Sequence, residues 1–404
     1  MNFSHNQVLK VLLVCPHIRL PGTGGAATHH TEFSRAVSKL GVEVHILCNT
    51  QEERVVGNIY YHNAARPLLY PKRFFSSLFS VRKANTIIKK YKIDLIHDRS
   101  DPGQITGFLC SKIMKIPRVA EINYNFLSYE IKMSFFRDKF IFPLLQFIKK
   151  RWIKSVVESA DFIGTVSDSI KKSLVRHGLK ETKILSIPNG ADPDRFSVKS
   201  DQREKYGFGK NNFVLAVIGE LGPRQNILEI IKSVEPCMKT IRNIKLVLVG
   251  GEERYRKYII SLKDYVEKNN LKNNIVFQGK IKNEEVPEFL SCVDIALAPY
   301  AESWGSESFG FSPIKVFEYM AAGKVVIASD TEWVKEIIEN WKDGILTKDF
   351  SDLEKILLKI RADKKLKTSL EKNAREKIVR KFTWKKNAEE YIGVYRSLLH
   401  RNNV

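Results

Sequence analysis

The sequence predicts an α/β protein with two Rossmann-like, doubly wound domains that face a central cleft. From Val11 to Thr347, short β-branched runs alternate with helical segments, a pattern typical of parallel sheets covered by helices on both faces. The alternation occurs twice, and 404 residues are enough for two hydrophobic cores. Ligands of such folds bind beyond the carboxyl ends of the strands, so the cleft is the expected site.

Eleven segments are predicted to be strands. They are KVLLVC, VEVHILC, DLIHD, RVAEIN, DFIGTV and KILSIP in the first half, and FVLAVIG, KLVLVGG, NIVFQG, IALAPY and KVVIAS in the second. Proline and glycine break regular structure between Ile187 and Phe196, which predicts the domain boundary there. We therefore expect a first domain over 1–195, a second over 206–381, and a C-terminal helix over 382–404 that packs back on the first.

Composition argues against several protein classes. The apolar share of 43% is ordinary for a globular protein, and no apolar run approaches the ~20 residues that span a bilayer. The five cysteines are scattered, with no CxxC pair and no histidine spacing that indicates zinc, so they are expected to be core residues in a reducing compartment. The first ten residues lack the layout of a signal peptide. We expect a cytoplasmic protein.

The formal net charge of +22 calls for an anionic partner: nucleic acid, a membrane surface or an acidic small substrate. Two stretches, 67–90 and 124–154, interleave basic and aromatic residues, which suits anionic lipid headgroups. Alternatively, the aromatic side chains pack in the core and the lysines only face water. No helix-turn-helix, zinc-finger or RNA-recognition signature is present, which argues against nucleic acid.

The segment 308–330 is predicted to be a loop, a helix and a buried strand. Ser312 suits the N-cap, Pro313 the first helical turn and Gly323 the C-cap. The free N–H groups at the start of such a helix suit a phosphate or diphosphate, and Glu318 could accept hydrogen bonds from sugar hydroxyls. The alternative is an ordinary crossover helix with an exposed glutamate.

A glycine-rich turn follows the first predicted strand. Gly24 and Gly25 would let backbone N–H groups approach an anionic ligand closely, although the segment does not match GxGxxG. A plain strand-to-helix turn is the alternative. His29 and His30, on the following helix, are expected to be surface groups or groups behind the site, and not metal ligands.

Six segments, in order along the chain, carry a resemblance to a known family. They are GGAATHH, TVSDSIKKSLVRHG at 165–178, IPNGADPDRF at 187–196, LVLVGG at 246–251, IVFQGKI at 275–281 and SPIKVFEYMAAGKVVIAS at 312–329. With them the sequence resembles glycosyltransferase family 4, whose members have the GT-B fold. The resemblance implies a nucleoside diphosphate sugar held mainly by the second domain, an acceptor held mainly by the first, transfer with retention at the anomeric carbon, and no metal or other cofactor.

The resemblance also implies roles for residues. Glu318 matches the glutamate that holds the donor's ribose, and Lys315 could supply positive charge near the diphosphate. The residues expected to catalyse are Asn123, Arg224 and Glu307. Those expected to bind the donor or line its site are Gly24, Gly25, Gly219, Arg224, Gln225, Gly250, Gly279, Lys280, Gly310, Phe311, Ser312, Lys315 and Glu318.

The sequence departs from the family pattern at the diphosphate. Glu220 and Gln225 stand where the family commonly has an arginine and a lysine, and Arg224 beside the second could substitute for it. Gly310 stands where the family has the first of two glutamates, and Glu307 lies three residues earlier. Something must stabilise the charge that grows on the departing diphosphate, so these positions matter for catalysis.

Asn123 occupies the place where many relatives have a histidine close to the reacting sugar. Asparagine can orient a hydroxyl but cannot act as a general base at neutral pH. On a front-face, retaining path the departing phosphate can take the acceptor's proton instead. Glu121 and Glu130 are nearby carboxylates, for which a solvated or salt-bridged role is the alternative.

We therefore expect a glycosyltransferase, peripheral on the inner face of the cell membrane through its first domain. Its acceptor would be a glycan or lipid-linked sugar in cell-surface polysaccharide or glycoconjugate synthesis. A non-catalytic sugar-nucleotide- or glycan-binding subunit and a nucleotide-sugar epimerase of the same fold remain open.

Overall fold

The computed structural model describes residues 8–64, 73–127, 141–197, 200–251, 253–301 and 310–401. Each half of the chain forms one β-sheet with helices on both faces. The two Rossmann-like sheets confirm the predicted fold class.

The first sheet has eight strands. In chain order they are β1 (Lys10–Arg19), β2 (Glu43–Asn49), β3 (Arg54–Val56), β4 (Ile59–Asn63), β5 (Leu95–Arg99), β6 (Arg118–Ile122), β7 (Phe162–Thr165) and β8 (Ile184–Ser186). Their spatial order is β3-β4-β2-β1-β5-β6-β7-β8. All pairs are parallel except β3 with β4.

The second sheet has six strands, all parallel. They are β9 (Phe213–Gly219), β10 (Ile244–Gly250), β11 (Ile275–Gly279), β12 (Ile295–Ala298), β13 (Val325–Ser329) and β14 (Ile345–Thr347). Their spatial order is β11-β10-β9-β12-β13-β14.

Helices of the described residues connect and cover the strands. They are α1 (Gly25–Lys39), α2 (Arg73–Tyr91), α3 (Thr106–Met114), α4 (Ile141–Glu158), α5 (Asp168–Arg176), α6 (Ile227–Thr240), α7 (Arg256–Lys268), α8 (Val286–Ser291), α9 (Ile314–Ala321), α10 (Glu332–Lys335), α11 (Leu353–Ala362), α12 (Lys364–Lys381) and α13 (Trp384–Arg401). Short 3-10 turns occupy Glu181–Lys183, Glu204–Tyr206, Pro223–Gln225, Glu253–Tyr255 and Asn283–Glu285.

All eleven predicted strands are present, because each is a run of apolar residues that the helices can bury. The sequence missed β3, β4 and β14. Strand β3 is exposed throughout, and β14 spans only three residues, so neither shows a long buried run in the sequence. Strand β4, IYYHN, carries two polar residues among its five.

Helix α13 contributes to the core of the first sheet. Its Trp384, Tyr391 and Tyr395 are buried in the same cluster as Phe33 of α1 and Leu13 of β1. The helix packs directly on α1. The last helix of the described chain therefore completes the domain that the first strand begins.

The chain crosses between the two sheets twice, and the crossings lie side by side. The Ala191 N–H donates to Phe382 O (3.0 Å), and the Trp384 N–H donates to Ala191 O (3.3 Å). Strand β1 lies between β2 and β5, and β9 lies between β10 and β12, so each is where its sheet's strand order reverses. Such switch points leave a crevice at the carboxyl ends of the strands.

Candidate functional site

A cavity of about 450 Å³ lies between the sheets, at the carboxyl ends of β1 and β9. Residues of both halves of the chain line it. The predicted site residues among them are Gly24, Gly25, Asn123, Gly219, Arg224, Gln225, Gly250, Lys280, Phe311, Ser312, Lys315 and Glu318. The structure thus brings twelve residues, spread over most of the sequence, to one cavity.

The ends of β9 and β10 approach so closely that only glycine fits. Gly250 has φ +121°, and a Cβ there would lie 1.8 Å from Gly219 O. Gly219 has φ +147°, and its Cβ would lie 2.8 Å from Gln225 Nε2 and 2.9 Å from Lys315 Nζ. Glycine at these two positions lets side chains from separate elements converge on the backbone.

Helix α9 begins at Ile314, and the prediction that Ser312 caps it is wrong. The N-cap is Pro313, with no side-chain cap. Ser312 Oγ instead accepts a hydrogen bond from the Asn189 N–H (3.0 Å), and Ser312 O accepts one from Asn189 Nδ2 (2.7 Å). A long-range contact therefore uses the hydroxyl that a local cap would need. At the other end, Gly323 has φ +64°, as a residue after a helix terminus should.

Two ionisable side chains of α9 line the cavity. Burial raises the pKa of Glu318 to about 7, although Arg195 and Lys315 oppose the rise. Burial lowers the pKa of Lys315 to about 8, although Glu220 and Glu318 oppose the fall. Both groups therefore change charge close to neutral pH, where an anionic ligand or a hydroxyl donor would alter them further.

The loop after β9 carries the residues that depart from the family pattern. Glu220 forms an ion pair with Arg254 (2.6 Å), so its carboxylate is neutralised within the protein. Arg224 is exposed and lines the cavity, and its backbone carbonyl accepts a hydrogen bond from Ala301 N (3.0 Å). Gln225 lies deeper, against Gly219.

A buried polar cluster lies behind the cavity. Glu121 is 1% exposed, and its carboxylate lies 2.9 Å from His29 Nε2 and 3.3 Å from His97 Nε2. Burial alone would raise the pKa of Glu121, but the two imidazoles hold it well below its usual range. His97 Nδ1 lies 2.5 Å from the hydroxyl oxygen of Tyr395 on α13. Glu121 therefore anchors a buried cluster and does not line the cavity.

The cluster continues to the second domain through Asn189. Its Oδ1 lies 2.8 Å from His29 Nδ1, while its Nδ2 donates to Ser312 O. Because Oδ1 and the Glu121 carboxylate are both acceptors, His29 must donate from both ring nitrogens. Both ring nitrogens of His29 are therefore engaged, one by Glu121 and the other by Asn189. We call Tyr395, His97, Glu121, His29 and Asn189 the Glu121 network.

His29 and His30 are both buried, at 2% and 3% exposure, so the interpretation of either as a surface group is wrong. The sequence could not show this, because α1 packs between β1 and α13 and has almost no solvent face near its start. Burial, followed by the charge of His29, lowers the pKa of His30 well below its usual range. His30 is therefore a neutral core residue.

Further contacts join the domains beside the cavity. Glu336 follows α10 in the second domain, and its carboxylate accepts hydrogen bonds from the Asp168 N–H (2.8 Å) and the Ser169 N–H (2.7 Å). It thereby satisfies two free N–H groups at the start of α5 in the first domain, where Ser167 is the N-cap. Arg195 Nη1 donates to Glu32 Oε1 (3.0 Å), joining the linker to α1. These contacts hold the two halves of the cavity in register.

Two of the predicted residues that the structure describes, Gly310 and Gly279, do not line the cavity. Gly310 has φ +45° and packs against α5, where a Cβ would lie 2.6 Å from Ile170 Cγ1. A glutamate side chain therefore has no room there in this arrangement of the domains. Gly279 is exposed at the end of β11. Glu307 lies outside the described residues, as does Glu130.

Sequence reasoning missed several residues that line the cavity. Arg99 ends β5, and Tyr300 follows β12 closely. Their positions at the carboxyl ends of strands could have identified both, since these ends meet at one edge of a parallel sheet. Asn189 gave no such signal, because it lies in a proline- and glycine-rich linker and its partner Ser312 is 123 residues away.

The basic, aromatic stretches are partly described. Phe79 of α2 is 68% exposed and Trp152 of α4 is 40% exposed, whereas Phe126 is buried at 6%. Residues 67–72 and 128–140 lie outside the described residues. In the parts of the chain that the structure covers, no helix is long and apolar enough to cross a bilayer. In the same parts, no three His, Cys, Asp or Glu side chains gather to hold a metal ion.

Two protein families together match most of the chain, one in each half. Residues 23–195 match the family described as Glycosyltransferase Family 4, and residues 198–377 match the one described as Glycosyl transferases group 1. The chain belongs to glycosyltransferase family 4. The family that its six motifs predicted is thereby confirmed, and the protein is a glycosyltransferase.

Curated relatives of this glycosyltransferase carry the same activity in their names. An uncharacterized glycosyltransferase of Methanocaldococcus jannaschii is 24% identical, over 96% of this chain and 99% of its own. The N,N′-diacetylbacillosaminyl-diphospho-undecaprenol α-1,3-N-acetylgalactosaminyltransferase of Campylobacter jejuni is 27% identical, over 80% and 82%.

Solved structures share the glycosyltransferase's fold. The sucrose-phosphate synthase of Thermosynechococcus elongatus superposes with a TM-score of 0.78, at 18% identity, over 97% of this chain and 100% of the other. Anabaena HepE in complex with UDP-glucose superposes with a TM-score of 0.73, at 16% identity, over 96% and 100%.

Proposed function

We propose that this glycosyltransferase transfers a sugar from a nucleoside diphosphate sugar to a lipid-linked or glycan acceptor, with retention at the anomeric carbon. The supporting observation is the cavity between the sheets, where Glu318 and Lys315 of the second domain face Asn123 and the Gly24–Gly25 turn of the first. Donor and acceptor could meet there without either leaving its own domain. The complex of the structurally similar HepE with UDP-glucose supports such a donor.

Each donor group has a proposed partner. The Glu318 carboxylate would accept hydrogen bonds from the ribose hydroxyls, and Arg224 with the backbone of Phe311 and Ser312 would contact the diphosphate. Lys280, which follows β11 and also lines the cavity, would lie beside the base. Asn123 would orient a hydroxyl of the reacting sugar or the acceptor.

The proposal of retention follows from which carboxylates line the cavity. Among the described residues these are Glu220 and Glu318, both of the second domain. Glu121 of the first domain is engaged with two histidines behind the cavity. Since the described part of the first domain brings no carboxylate to the cavity, we propose that the C1–O bond to the diphosphate breaks while the acceptor oxygen bonds to C1 on the same face. The acceptor's proton would pass to the departing phosphate oxygen.

We propose that the acceptor is carried on lipid, and that the first domain docks on the inner face of the cell membrane during synthesis of cell-surface glycans. The relative from Campylobacter jejuni acts, by its name, on a diphospho-undecaprenol acceptor. Exposed Phe79 and Trp152 lie on helices that also present basic residues, such as Arg82 and Arg151. Such a surface suits anionic headgroups.

Calorimetry with a panel of UDP-, GDP- and ADP-sugars tests the donor site. One donor should bind the parent, and Glu318→Ala and Arg224→Ala should each weaken it at least about tenfold, as expected for charged hydrogen bonds. Glu376→Ala, on the exposed face of α12, is the control and should bind like the parent. Unchanged donor affinity in both site variants would overturn the assignment.

Turnover and product stereochemistry test the reaction. Release of nucleoside diphosphate should require an acceptor, and NMR of the product should show the anomeric configuration of the donor. Two results would contradict the proposal. One is release of nucleoside diphosphate without transfer of the sugar to an acceptor, and the other is a product with inverted anomeric configuration.

Co-sedimentation with liposomes tests the membrane surface. Binding should require anionic lipid, weaken with salt, and fall in Phe79→Ala and Trp152→Ala. Leu358→Ala, an equally exposed apolar residue of the second domain, is the matched control. Binding that ignores lipid charge at low salt would refute this part of the proposal.

A further inference from the structure

We infer that Lys315, together with Arg224, supplies the positive charge that holds the donor's diphosphate. Lys315 delivers its charge from α9 to a point beside Gly219, where the loop after β9 places the uncharged side chain of Gln225. The inference rests on the proposed donor and deepens it, because it assigns the cation. It concerns a lysine in the first turn of a helix, where a cation opposes the helix dipole unless an anion lies between them.

The first observation is that the Lys315 ammonium is buried without a partner. Nζ is shielded from solvent and has no hydrogen bond among the described residues. The ring of Tyr300 lies beside it, with its centroid 5.7 Å from Nζ. The carboxylates of Glu220 and Glu318 act on the ammonium through space, but neither is hydrogen-bonded to it. A buried ammonium without a hydrogen-bonded anion is costly, so the site suits an anionic ligand that supplies those bonds.

The second observation is that two more buried polar atoms near Lys315 have no partner in the described chain. They are Gln225 Oε1 and the hydroxyl oxygen of Tyr300. Lys315, Gln225 and Tyr300 come from three separate elements, and all three line the cavity. Buried polar groups in native proteins nearly always have partners, so three orphans around one space indicate a polar ligand. The Lys315 ammonium and the Tyr300 hydroxyl can donate to its oxygens, whereas Gln225 Oε1 can only accept a hydrogen bond from it.

The position of Lys315 relative to Glu318 specifies a diphosphate. The two residues are one helical turn apart on α9, which separates their Cβ atoms by about 5–6 Å. A ligand whose ribose is held by Glu318 therefore carries its phosphates past Lys315. The ammonium, the Tyr300 hydroxyl and the Gln225 amide together offer donors to more than one phosphate group.

The position of Gln225 allows a test in which the positive charge is moved from residue 315 to residue 225. A Cβ at Gly219 would lie 2.9 Å from Lys315 Nζ and 2.8 Å from Gln225 Nε2, so the two nitrogens border the same point. A lysine at position 225 could therefore deliver an ammonium close to where Lys315 now delivers it. In the variant that exchanges the two residues, Lys315→Gln with Gln225→Lys, the cavity keeps its charge while α9 loses it.

The experiment measures binding of UDP, GDP and ADP and of the matching monophosphates by calorimetry. Lys315→Met should weaken the diphosphate that the parent binds by about 10- to 100-fold, the usual range for a charged hydrogen bond, and the monophosphate far less. The exchanged variant should recover affinity to within about threefold of the parent. Lys324→Met removes another partly buried lysine, beyond the end of α9 and outside the cavity, and should bind like the parent. Thermal midpoints of all variants show that each is folded.

The outcomes separate this inference from the proposed function. A folded parent that binds no nucleoside diphosphate would overturn the proposed donor itself. If the parent binds and Lys315→Met binds equally well, the donor stands and the role of Lys315 is wrong. If Lys315→Met is weak and the folded exchanged variant is equally weak, the charge is not needed beside Gly219, which also overturns the inference.

Discussion

Replacing Asn189 by alanine should weaken the contact between the two domains, and thereby lower both the free energy of unfolding and the affinity for the donor. Asn189 is 4% exposed, and its side chain joins His29 of the first domain (2.8 Å) to the Ser312 carbonyl of the second (2.7 Å). Alanine removes both bonds but keeps the backbone N–H that donates to Ser312 Oγ. The change therefore isolates the side chain's contribution to the junction.

The size of the effect follows from the groups left behind. The Ser312 carbonyl and His29 Nδ1 each lose a buried partner, and an orphaned buried group costs about 1–3 kcal/mol. We expect a loss of about 2–6 kcal/mol in the free energy of unfolding, from two orphaned groups. Freeing the start of α9 also adds an ordering cost on donor binding of about 0.5–1.5 kcal/mol, or about 2- to 10-fold in Kd.

Urea unfolding and calorimetry with the bound nucleotide sugar measure the two effects. Asn387→Ala is the matched control, since Asn387 is equally buried and its Nδ2 donates to Pro188 O (2.8 Å), but it does not touch Ser312. It should lose about 1–3 kcal/mol, because one carbonyl is orphaned, and keep the parent's donor affinity. The reasoning fails if Asn189→Ala is no less stable than Asn387→Ala and binds the donor as the parent does.

Donor affinity should peak between about pH 7 and 8, because the Glu318 carboxylate is lost as pH falls through about 7 and the Lys315 ammonium as pH rises through about 8. Calorimetry across this range should show the acidic limb vanish in Glu318→Gln and the basic limb in Lys315→Met; limbs that persist would contradict the assignment. Gly310→Ala should cost at least about 1–2 kcal/mol in urea unfolding, because φ is +45° there and Cβ meets Ile170. The cost should shrink in an Ile170→Ala background, and an equal cost would exclude this contact. Glu336→Ala removes two hydrogen bonds between its carboxylate and the start of α5 but leaves the N-cap Ser167, so it should lose about 1 kcal/mol and give a larger radius of gyration in solution scattering. An unchanged radius would show that these bonds do not hold the domains together.

Local patterns in the sequence were enough for the fold and for one side of the cavity. Buried strands such as β9 and β13 are continuous apolar runs, and Gly219 and Gly250 mark their ends with residues that close approach requires. Glu318 and Lys315 were found because one helix carries both. Each of these patterns spans only a few neighbouring residues, so it can be recognised within a single segment of the sequence.

The remaining parts of the site depend on contacts that no segment contains. Asn189 and Gly190 are residue types that favour exposed turns, yet Asn189 is buried between two domains. Ser312 is a residue type that favours helix caps, but its hydroxyl oxygen accepts a hydrogen bond from the Asn189 N–H instead. The burial of His29 requires Glu121 and α13, which lie far along the chain. In each case the tertiary partner outweighs the local preference.

Helix α13 imposes an order on how the molecule is made. Strands β1 to β8 leave the ribosome early, but the face of their sheet that carries α1 stays without Trp384, Tyr391 and Tyr395 until the second domain has been synthesised. Until then the first domain exposes an apolar face, and Glu121 and His97 lack Tyr395. Chains of this kind depend on protection from aggregation during translation. The core of the first domain is therefore completed only after the second domain has been synthesised.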